Sequence, residues 1–362
     1  MKILMLTPAL SPGGTERVMS VLINDFCKRE DVELHVLLYG RKRDIFYEVD
    51  SKAIIHRPPF PFDNSRWFRC TIKTLLYLRR KTKEINPDTI LNLGELWNSF
   101  VLFSLLGLSY PIYIGDRCQP DKKFSLFHEL LRSWLYPRSS GIIVQTDKAY
   151  EIYRKRFGKV PIRVIGNPIR TIYSKDRVCR ENIVLSVGRL IPSKHHEELI
   201  RMFAALKIDD WKLYIVGGDA LKMNLSKKLQ RVIDELGASN QIFLLGNQRD
   251  VDHYYLRSKI FAFTSTSEGF PNALGEAMSA GLAVIAFDCM AGPSDMIING
   301  ENGILVKLCD FNAFSSDLQH LMECVTLRET LGCEAKRSIK KYSEEEICDS
   351  FYHFVNLKRY SV

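Results

Sequence analysis

The chain has 362 residues, of which 46% are hydrophobic and 26% are charged, and this composition excludes a disordered or fibrous protein. Its length predicts about two domains. Nine cysteines are scattered along the chain without a C-x-x-C pair, which excludes a zinc ribbon or a disulfide framework and favours a reducing cytosol.

Basic residues are concentrated early in the chain. The net charge is +9, and residues 28–83 hold 14 Lys or Arg against 7 Asp or Glu. Such a charge excess suits nucleic acid, an acidic membrane surface or simple solubility. No signal peptide precedes the first strand-like run, and the apolar stretch 100–114 is too short to span a bilayer. We therefore expect a cytoplasmic protein that is not integral to a membrane.

Strands and helices alternate through the first half of the chain. Apolar runs of strand length occupy residues 2–6, 33–38, 89–93, 111–115, 141–145 and 162–165. Apolar residues at helical spacing occupy residues 15–29, 72–83, 97–106, 126–135 and 147–157, while residues 41–68 are loop-rich and aromatic. This alternation predicts a parallel sheet with helices on both faces.

A second alternating series follows a polar break. Residues 170–181 lack apolar periodicity, so we predict an interdomain linker there. Strands are then expected at residues 182–187, 211–216, 242–245, 260–264, 283–287 and 304–306. Two doubly wound α/β domains are therefore predicted at residues 1–169 and 182–342, with a ligand cleft facing the carboxyl ends of their strands. A closing helix within residues 343–362 could pack on either domain.

One stretch of the second domain carries two carboxylates at the predicted ligand edge. Residues 267–276 read Ser-Glu-Gly-Phe-Pro-Asn-Ala-Leu-Gly-Glu between two strand-like runs. Glu268 falls in the loop after a buried strand, and Glu276 falls inside the following helix. Helix N-termini at the carboxyl edge of a parallel sheet favour anions, so the two carboxylates flank a predicted anion site.

Two glycine turns indicate where an anionic ligand is held. Gly188 follows a strand and precedes Arg189 and Lys194, two cations that suit a diphosphate. Gly13 and Gly14 form a similar strand-to-helix turn, where bare backbone can approach a ligand. That turn lacks both G-x-G-x-x-G and G-x-x-x-x-G-K-[ST], so a plain turn stays an alternative.

These segments together resemble a known family. The matching motifs lie in family order along essentially the whole chain, and they are Gly13-Gly14-Thr15-Glu16-Arg17-Val18, Val187-Gly188-Arg189-Leu190 with Lys194, Ile215-Val216-Gly217-Gly218, Phe243-Leu244-Leu245-Gly246-Asn247, Glu268-Gly269-Phe270-Pro271-Asn272 through Glu276-Ala277-Met278 and Gly281, and Gly292-Pro293-Ser294-Asp295. The chain is similar to the family 4 retaining glycosyltransferases, whose GT-B fold has two Rossmann-like domains facing a central cleft. The donor-binding half matches more sharply than residues 28–165.

The resemblance implies a role for each matched residue. Arg189 and Lys194 would hold the diphosphate of a sugar nucleotide, and with Glu268, placed against the donor sugar, they form the predicted catalytic set. Glu276 would bind the ribose hydroxyls, because a carboxylate accepts two hydrogen bonds. The remaining donor-binding residues are Gly13, Gly14, Gly188, Gly246, Val251, Gly269, Phe270, Pro271, Asn272 and Ala273, with Gly246 and Val251 beside the base.

Three further residues are candidates for the acceptor side. Asp116 and Arg117 end the strand at 111–115, and Glu95 lies in the loop after the strand at 89–93. Some relatives place a histidine or a Ser-Glu-Arg-like run near the first of these positions, so this chain departs from the family there. Structural loop charges are the alternative. His195 and His196 are interpreted as helix-surface residues rather than catalysts.

The resemblance implies sugar transfer with retention of configuration. Cations and amides at the leaving diphosphate lower the barrier, and we favour front-face attack by the acceptor over a covalent intermediate on Glu268. The only D-x-D, Asp250-Val251-Asp252, is interpreted as a helix cap. Transfer is therefore predicted to need neither a metal ion nor a cofactor.

The resemblance also implies the substrates. The donor would be a UDP-sugar or GDP-sugar that supplies a hexose or N-acetylhexosamine. The saccharide acceptor would be carried on polyprenyl diphosphate, in the synthesis of O-antigen, capsule or exopolysaccharide. The basic first domain, with Trp67 and Phe68, suits a peripheral enzyme on the anionic inner face of the plasma membrane, although the charge excess also fits solubility alone.

Three other classes of protein would explain part of the sequence. A nicotinamide oxidoreductase would need G-x-G-x-x-G in the first turn, which is missing. A sugar-nucleotide epimerase shares the two-domain architecture and would form product without an acceptor. A non-catalytic basic binding protein would explain residues 28–83 but not the donor motifs, and no nucleic-acid partner is expected because that stretch lacks a nucleic-acid signature.

Overall fold

The chain folds into two compact units. The computed structural model describes residues 1–176, 178–220 and 223–356. Within the described residues, the first unit comprises residues 1–168 and 344–356, and the second comprises residues 169–343. Each unit has its own sheet and its own hydrophobic core.

The first unit is built on a seven-stranded parallel sheet. Its strands are β1 (Lys2–Thr7), β2 (Glu33–Leu38), β3 (Ile54–His56), β4 (Thr89–Leu93), β5 (Ile112–Gly115), β6 (Gly141–Val144) and β7 (Ile162–Val164). The order across the sheet is β3-β2-β1-β4-β5-β6-β7. The helices of residues 1–168 are α1 (Gly14–Phe26), α2 (Trp67–Ile85), α3 (Glu95–Ser104), α4 (Leu126–Leu135) and α5 (Asp147–Phe157).

The second unit repeats this plan with six parallel strands. They are β8 (Ile183–Val187), β9 (Lys212–Val216), β10 (Ile242–Gly246), β11 (Ile260–Phe263), β12 (Ala283–Asp288) and β13 (Ile304–Lys307), in the order β10-β9-β8-β11-β12-β13. The helices are α6 (His196–Leu206), α7 (Leu225–Glu235), α8 (Asp252–Arg257), α9 (Asn272–Ser279), α10 (Pro293–Met296), α11 (Phe311–Glu323) and α12 (Val325–Ser338).

In each sheet, the order in which the chain adds strands reverses at one pair of neighbouring strands. In the first sheet the chain builds outward from β1 to β3 and then starts again on the other side of β1 with β4. In the second sheet it builds from β8 to β10 and then restarts with β11 beside β8. The loops that follow such a pair diverge to opposite faces and leave a crevice at the carboxyl edge, where α/β proteins bind ligands.

The predicted α/β class is confirmed, and twelve of the thirteen strands lie within about one residue of their predicted positions. Strand β3 was not predicted, because its three residues, Ile54–His56, are too few to show a period. Helix α2 begins at Trp67, five residues before its predicted start at Ile72. Within the described ranges, no helix has the length and apolar composition needed to cross a bilayer.

The segment predicted as a linker belongs to the second unit. Ile169 and Ile172 are buried in that unit's core, and the amide of Ile172 donates to Ser279 Oγ at 3.1 Å. Arg180 donates to backbone carbonyls of Ser258 and Ala280. Arg177 lies outside the described residues.

The closing helix, α13 (Glu344–Val355), packs on the first unit. Its Phe351 is fully buried, and its Phe354 ring fills the space left by the missing side chain of Gly141. Asp349 pairs with Arg29, and the Val355 carbonyl accepts from Thr89 Oγ1 at 3.1 Å. Of the two domains on which this helix could pack, it therefore packs on the one built by residues 1–168.

Replacing Phe351 with Ala should destabilise the protein, because the truncated side chain leaves a cavity under α13. We expect a loss of about 3–5 kcal/mol in the free energy of unfolding, measured by urea denaturation. Phe127→Ala makes the same chemical change at a ring that is 72% exposed and should cost about 0.5 kcal/mol or less. Equal losses in the two variants would contradict the packing of α13 described above.

Candidate functional site

The two loops at the switch point of the second sheet are joined to each other. The first follows β8 and contains a single 3-10 turn, Pro192–Lys194. The second follows β11, and there Thr264 Oγ1 donates to the Lys194 carbonyl at 2.6 Å. The Thr266 amide donates to the Ser193 carbonyl at 2.9 Å. These bonds hold the two loops in one fixed arrangement at the carboxyl edge.

This arrangement brings Lys194 and Glu268 into an ion pair. Lys194 Nζ lies 2.6 Å from Glu268 Oε1, and each side chain is only 15% exposed. The same ammonium lies 4.9 Å from the centre of the Phe263 ring, within cation–π range. A side chain at Gly188 would press on this group, because its Cβ would lie 3.2 Å from Lys194 Cε. Glycine at position 188 therefore leaves room for the Lys194 side chain.

Arg189 adds a second cation at the same turn. It directly follows Gly188, and its side chain is exposed to solvent, unlike that of Lys194. The backbone around it is fixed, because the Gly188 amide donates to the Val216 carbonyl at 2.9 Å and the Leu190 amide donates to the Gly218 carbonyl at 2.9 Å. A fixed turn with one paired and one exposed cation can receive an anion.

The start of α9 is packed rigidly behind Glu268. Phe270 is buried against Tyr342, with ring centres 5.5 Å apart. Pro271 packs on Gly292, where a Cβ would lie only 2.1 Å from Pro271 Cδ. Gly292 also has a φ of 104°, a conformation that favours glycine. Gly269, Asn272 and Ala273 are half-buried along the same edge.

Glu276 lies in the second turn of α9 and is held by two donors. Arg170 Nε donates to Glu276 Oε1 at 3.0 Å, and the Tyr255 hydroxyl donates to Oε2 at 3.2 Å. Burial raises the pKa of Tyr255 well above its usual range, so it serves as a neutral donor. Arg170 also pairs with Asp252. Glu276 is therefore an oriented carboxylate, only 9% exposed, whose charge is balanced by Arg170.

Sequence reasoning missed Arg170 and Tyr255. Arg170 fell in the predicted linker, and its partner Glu276 is 106 residues further along the chain. Tyr255 was given no role in the predicted site. No local pattern marks such contacts, because they join residues that are 106 and 21 positions apart in the sequence.

The predicted helix cap at the D-x-D is confirmed for one of its two carboxylates. Asp250 Oδ1 accepts from the His253 amide in the first turn of α8, at 3.3 Å, while Asp252 pairs with Arg170. Val251, the residue between them, is half-buried just before the helix. Across the described residues, no group of three or more His, Cys, Asp or Glu could hold a metal ion.

Gly246 ends β10 in a left-handed conformation, with a φ of 64°. Its carbonyl accepts from the Gly217 amide at 2.9 Å, which ties the ends of β9 and β10 together. Gly246 and Val251 therefore lie at the same carboxyl edge as the Lys194 turn, two strands away from β8 at most. The Val251 carbonyl accepts from the Tyr254 and Tyr255 amides at 3.1 and 3.2 Å, so both residues are held in place by backbone bonds.

In the first unit, the Gly13 and Gly14 turn joins β1 to α1 at that sheet's own switch point. The Tyr47 hydroxyl accepts from the Gly13 amide at 3.1 Å and donates to the Gly13 carbonyl at 3.0 Å. The Glu16 carboxylate fills the place that a side chain at Gly13 would take, with Oε2 only 2.2 Å from such a Cβ. The Gly13 backbone is extended, with a φ of −178°, so a side chain there would require only that the flexible Glu16 carboxylate move aside.

Asp116 lies at the end of β5 inside a buried polar network. Arg132 Nη2 lies 2.7 Å from its Oδ2, while Asn98 and the Tyr136 hydroxyl donate to Oδ1 at 2.7 and 2.8 Å. Tyr153 donates to Oδ2 as well. Burial raises the pKa of the Asp116 carboxyl, although Arg132 opposes the rise. This carboxylate links α3, α4 and α5 to the sheet. That is a structural role, which the sequence analysis gave as the alternative to an acceptor-side role.

Arg117 and Glu95 meet beside this network. The Arg117 amide donates to Glu95 Oε2 at 3.3 Å, and Arg117 Nη1 donates to Asn167 Oδ1 at 2.6 Å. The Arg117 guanidinium also lies 5.2 Å from the centre of the Phe351 ring. The three predicted acceptor-side residues are therefore neighbours at the carboxyl ends of β4 and β5.

The interpretation of His196 as a surface residue was wrong. Its side chain is 4% exposed, because the first turn of α6 faces the sheet at that position. Burial, together with the charge of Lys194, lowers the pKa of His196 to about 4, so the imidazole is neutral. His195 is half-buried in a left-handed conformation, with a φ of 50°, and it turns the chain into α6.

Known proteins share this fold over the whole chain. The lipopolysaccharide outer core galactosyltransferase WaaB matches with a TM-score of 0.77 and 22% identity, covering 99% of this chain and 100% of that one. HepE of Anabaena in complex with UDP matches with a TM-score of 0.81 and 18% identity, covering 99% and 100% of the two chains. The fold is therefore that of a GT-B glycosyltransferase.

Sequence comparisons agree. The model of Glycosyltransferase Family 4 matches residues 12–172, and the model of Glycosyl transferases group 1 matches residues 173–338. An uncharacterized glycosyltransferase of Methanocaldococcus jannaschii is 31% identical over 72% of this chain and 71% of its own length. The amylovoran biosynthesis glycosyltransferase AmsD of Erwinia amylovora is 28% identical over 98% and 99% of the two chains. The chain belongs to glycosyltransferase family 4.

Stability should decrease as the pH falls from about 6.5 to about 4, because the unfolded chain takes up a proton at His196 while the folded chain does not. The stability that neutral His196 contributes is fully present above pH 6.5, the pKa of histidine in the unfolded chain. It is lost as the pH falls to about 4, the pKa of His196 in the folded chain. Urea unfolding between about pH 5 and 7 measures the effect.

His196→Leu should unfold with a shallower pH dependence than the wild type. Some dependence should remain, because the pKa of His56 is also lowered to about 4, by burial and by Lys81. Identical pH slopes in the two proteins would show that His196 is not buried as a neutral group.

Proposed function

We propose that this enzyme transfers a hexose or N-acetylhexosamine from a UDP-sugar to a saccharide acceptor carried on a polyprenyl diphosphate, with retention of configuration. The reaction would take place at the cytoplasmic face of the membrane, in the synthesis of a cell-surface polysaccharide. The observation that carries the proposal is the ion pair of Lys194 with Glu268, beside Arg189, at the switch point of the second sheet.

The charges at this edge suit a nucleotide diphosphate. Lys194 and Arg189 would contact the diphosphate, and the N-terminal end of α9 would add backbone amides and a favourable helix dipole. Glu268, already within hydrogen-bond distance of Lys194, would face the donor sugar. Glu276, oriented by Arg170 and Tyr255, would accept hydrogen bonds from the ribose hydroxyls.

The relatives support the choice of substrates. HepE and TarM have been solved with UDP, which favours uridine over guanosine in the donor. A Campylobacter jejuni relative, 28% identical over 94% of this chain and 95% of its own length, is named as a 4-alpha-N-acetylgalactosaminyltransferase that acts on a diphospho-undecaprenol-linked saccharide. AmsD takes part in amylovoran biosynthesis. A lipid-linked acceptor and a polysaccharide product are therefore the expected chemistry.

Retention would follow from front-face attack. The acceptor hydroxyl would approach the anomeric carbon on the side from which the diphosphate departs, and a diphosphate oxygen would take its proton. Lys194 and Arg189 would stabilise the charge that develops on the leaving group, which is where fixed cations lower such a barrier most. Glu268 would then support the electron-poor sugar, and we propose no covalent bond to it, because its carboxylate is committed to Lys194.

Transfer is proposed to need no metal ion. The two carboxylates of the D-x-D are engaged by the α8 backbone and by Arg170. Lys194 and Arg189 supply the positive charge that a metal ion supplies in other nucleotide-sugar enzymes. Chelation of divalent ions with EDTA should therefore leave the rate of transfer unchanged.

A thermal-shift panel of UDP-sugars and GDP-sugars tests the donor assignment. A donor that binds only the folded state raises its stability by about 2.7 kcal/mol when present at one hundred times its dissociation constant. We expect UDP-sugars to raise the unfolding temperature and GDP-sugars to have little effect. Glu276→Gln should weaken UDP-sugar binding about tenfold, since it removes a charged acceptor from the ribose.

Glu301→Gln is the matched control for this variant. It makes the same change at an exposed carboxylate of the second unit and should bind the donor as the wild type does. The unfolding temperature of Glu276→Gln without ligand shows how far loss of the Arg170 ion pair destabilises the fold. The further rise on adding UDP-sugar then reports binding alone. Unchanged donor affinity in Glu276→Gln would remove Glu276 from the site.

Lys194→Ala should lower kcat about 100-fold to 1000-fold, because it removes one preorganised charge from the leaving group. Lys212→Ala removes an exposed lysine from β9 and should leave the rate unaltered. Circular dichroism would establish that both variants are folded. Wild-type turnover in Lys194→Ala would reject the proposed role of Lys194 at the leaving group. Conversion of the UDP-sugar by the wild-type enzyme without any acceptor would instead favour an epimerase.

A further inference from the structure

A cavity of about 470 Å³ opens at the amino edge of the second sheet. Arg180 and Lys259, which line it, precede β8 and β11, and Gly281 precedes β12, while most of the other lining residues belong to α12. Lys194 and Glu268 follow the same two strands, β8 and β11, at their carboxyl ends. Strands of five and four residues separate the two edges by roughly 13–17 Å. This amino-edge cavity is therefore distinct from the Lys194 turn, and its volume is typical of a small-molecule site.

Four cations line the amino-edge cavity. Arg180 and Lys259 come from the segments before β8 and β11, and Arg328 and Lys336 come from α12. Among the described residues that line the cavity, Glu329 is the one carboxylate. Four cations and one carboxylate give the lining a net charge of +3. A concave surface with an excess of one charge attracts ligands of the opposite charge, so this cavity suits an anion.

The hydrogen-bond partners of these cations are neutral. Arg180 donates to backbone carbonyls, as described above. Arg328 Nη1 donates to the carbonyls of Leu321 and Met322 at 2.7 and 2.8 Å. Lys259 Nζ donates to an asparagine side-chain oxygen at 2.6 Å. Throughout the ranges that the structure describes, no carboxylate forms an ion pair with any of the four cations, so their charge is oriented but not balanced.

Burial acts on both arginines of the cavity. It lowers the pKa of the Arg180 guanidinium, and it lowers the pKa of Arg328 although Glu329 opposes the fall. Both side chains stay protonated at neutral pH, because the ordinary pKa of arginine is above 12. A partly buried cation of this kind lacks the anionic charge that would offset its desolvation. An anion bound in the cavity would supply that charge.

Two glycines bring the cations together. Gly281 has a φ of 77°, and a Cβ there would lie 3.7 Å from Arg180 Nη2 and 3.6 Å from Lys336 Cδ. A Cβ at Gly332 of α12 would lie only 2.6 Å from the Gly281 carbonyl oxygen. Glycine at both positions therefore lets α12 approach the turn before β12 closely, and it leaves bare backbone between the cations.

Charge and size together identify the class of ligand. A phosphate monoester carries about −1.5 to −2 at pH 7, so two of them carry roughly −3 to −4, which matches the lining. A single inorganic phosphate is much smaller than a cavity of about 470 Å³. Ala280 and Val325 offer apolar contacts for a carbon skeleton, and Glu329 can accept a hydrogen bond from a hydroxyl group.

We propose that the amino-edge cavity binds a small hydroxylated molecule with two phosphate groups, such as a sugar bisphosphate. Its phosphates would contact the four cations, and its carbon skeleton would lie against the backbone of Gly281. This site does not depend on the proposed reaction, because all of its residues lie at the edge of the sheet opposite Lys194.

Thermal shift and isothermal titration calorimetry on the full chain test the site. Fructose 1,6-bisphosphate should bind and raise the unfolding temperature, because a ligand that binds only the folded state stabilises it. Fructose 6-phosphate should bind at least about tenfold more weakly, because it loses the charge-assisted hydrogen bonds of one phosphate. Fructose, which has no phosphate, should leave the unfolding temperature unchanged.

Paired lysine variants locate the binding. Lys259→Gln with Lys336→Gln should weaken binding of fructose 1,6-bisphosphate at least about tenfold, because two charged donors are lost. Lys227→Gln with Lys307→Gln is the matched control, since it removes two exposed lysines of the same unit that lie outside the cavity and should bind as the wild type does. Lys194→Ala should also bind fructose 1,6-bisphosphate as the wild type does.

Cys333 provides a measurement on the wild-type protein that does not depend on the folding of any variant. It is exposed and lines the cavity, whereas the exposed Cys309 of the same unit lies outside it. Fructose 1,6-bisphosphate at ten times its dissociation constant leaves about one site in ten empty. It should therefore slow the alkylation of Cys333 by iodoacetamide about tenfold and leave Cys309 unaffected, as followed by peptide mass spectrometry.

Several results would overturn the site. They are the absence of binding by fructose 1,6-bisphosphate, an equal thermal shift with fructose, wild-type affinity in the Lys259→Gln and Lys336→Gln variant, and alkylation of Cys333 that the bisphosphate does not slow. Loss of binding in Lys194→Ala would also overturn it, since the bisphosphate would then bind at the carboxyl edge. Absence of a thermal shift with UDP-sugars, with binding of the bisphosphate intact, would contradict only the proposed reaction.

Discussion

The pairing of β8 with β11 is the constraint on which the donor side of this enzyme depends. Because both strands end at the same edge, the loop carrying Lys194 and the loop carrying Glu268 are joined by backbone bonds before any ligand is present. The ion pair costs desolvation that its Coulomb attraction only partly repays, so it adds little to stability. The ion pair matters because it fixes the position of the Lys194 ammonium. An arriving diphosphate would find an ammonium already fixed, and little reorganisation would remain at the moment of reaction.

Each carboxylate of the donor edge has its own cation. Glu268 has Lys194, and Glu276 has Arg170, with Tyr255 as a neutral second donor. This division would allow two acids to occupy the edge at which we propose that a diphosphate binds. Without their cations, two carboxylates near a diphosphate would repel it by several kcal/mol at the low effective dielectric of a partly buried site. In the proposed reaction, Arg170 would act on donor binding through Glu276, which it orients.

Sequence patterns predicted the sheet almost completely because buried parallel strands are continuous apolar runs, and a run of five such residues is visible without any tertiary information. They also placed Glu268 and Lys194 at one edge, since both follow strands. They could not reveal Arg170, whose partner is 106 residues away, or the burial of His196. Asp116 was predicted to open on the cleft, but its surroundings depend on Arg132 and Tyr153, which come from two later helices.

Helix α4 shows most clearly what a periodic pattern leaves open. Its sequence divides into an apolar side and a polar side, and that division predicts a helix but not which side is buried. Arg132 lies on the inward side of α4, as the fully buried Leu135 does, and from there it reaches Asp116 at the end of β5. The amphipathic pattern could not show that the inward side of α4 holds this ion pair, while Leu126, Phe127 and Leu130 are left exposed on its outer side.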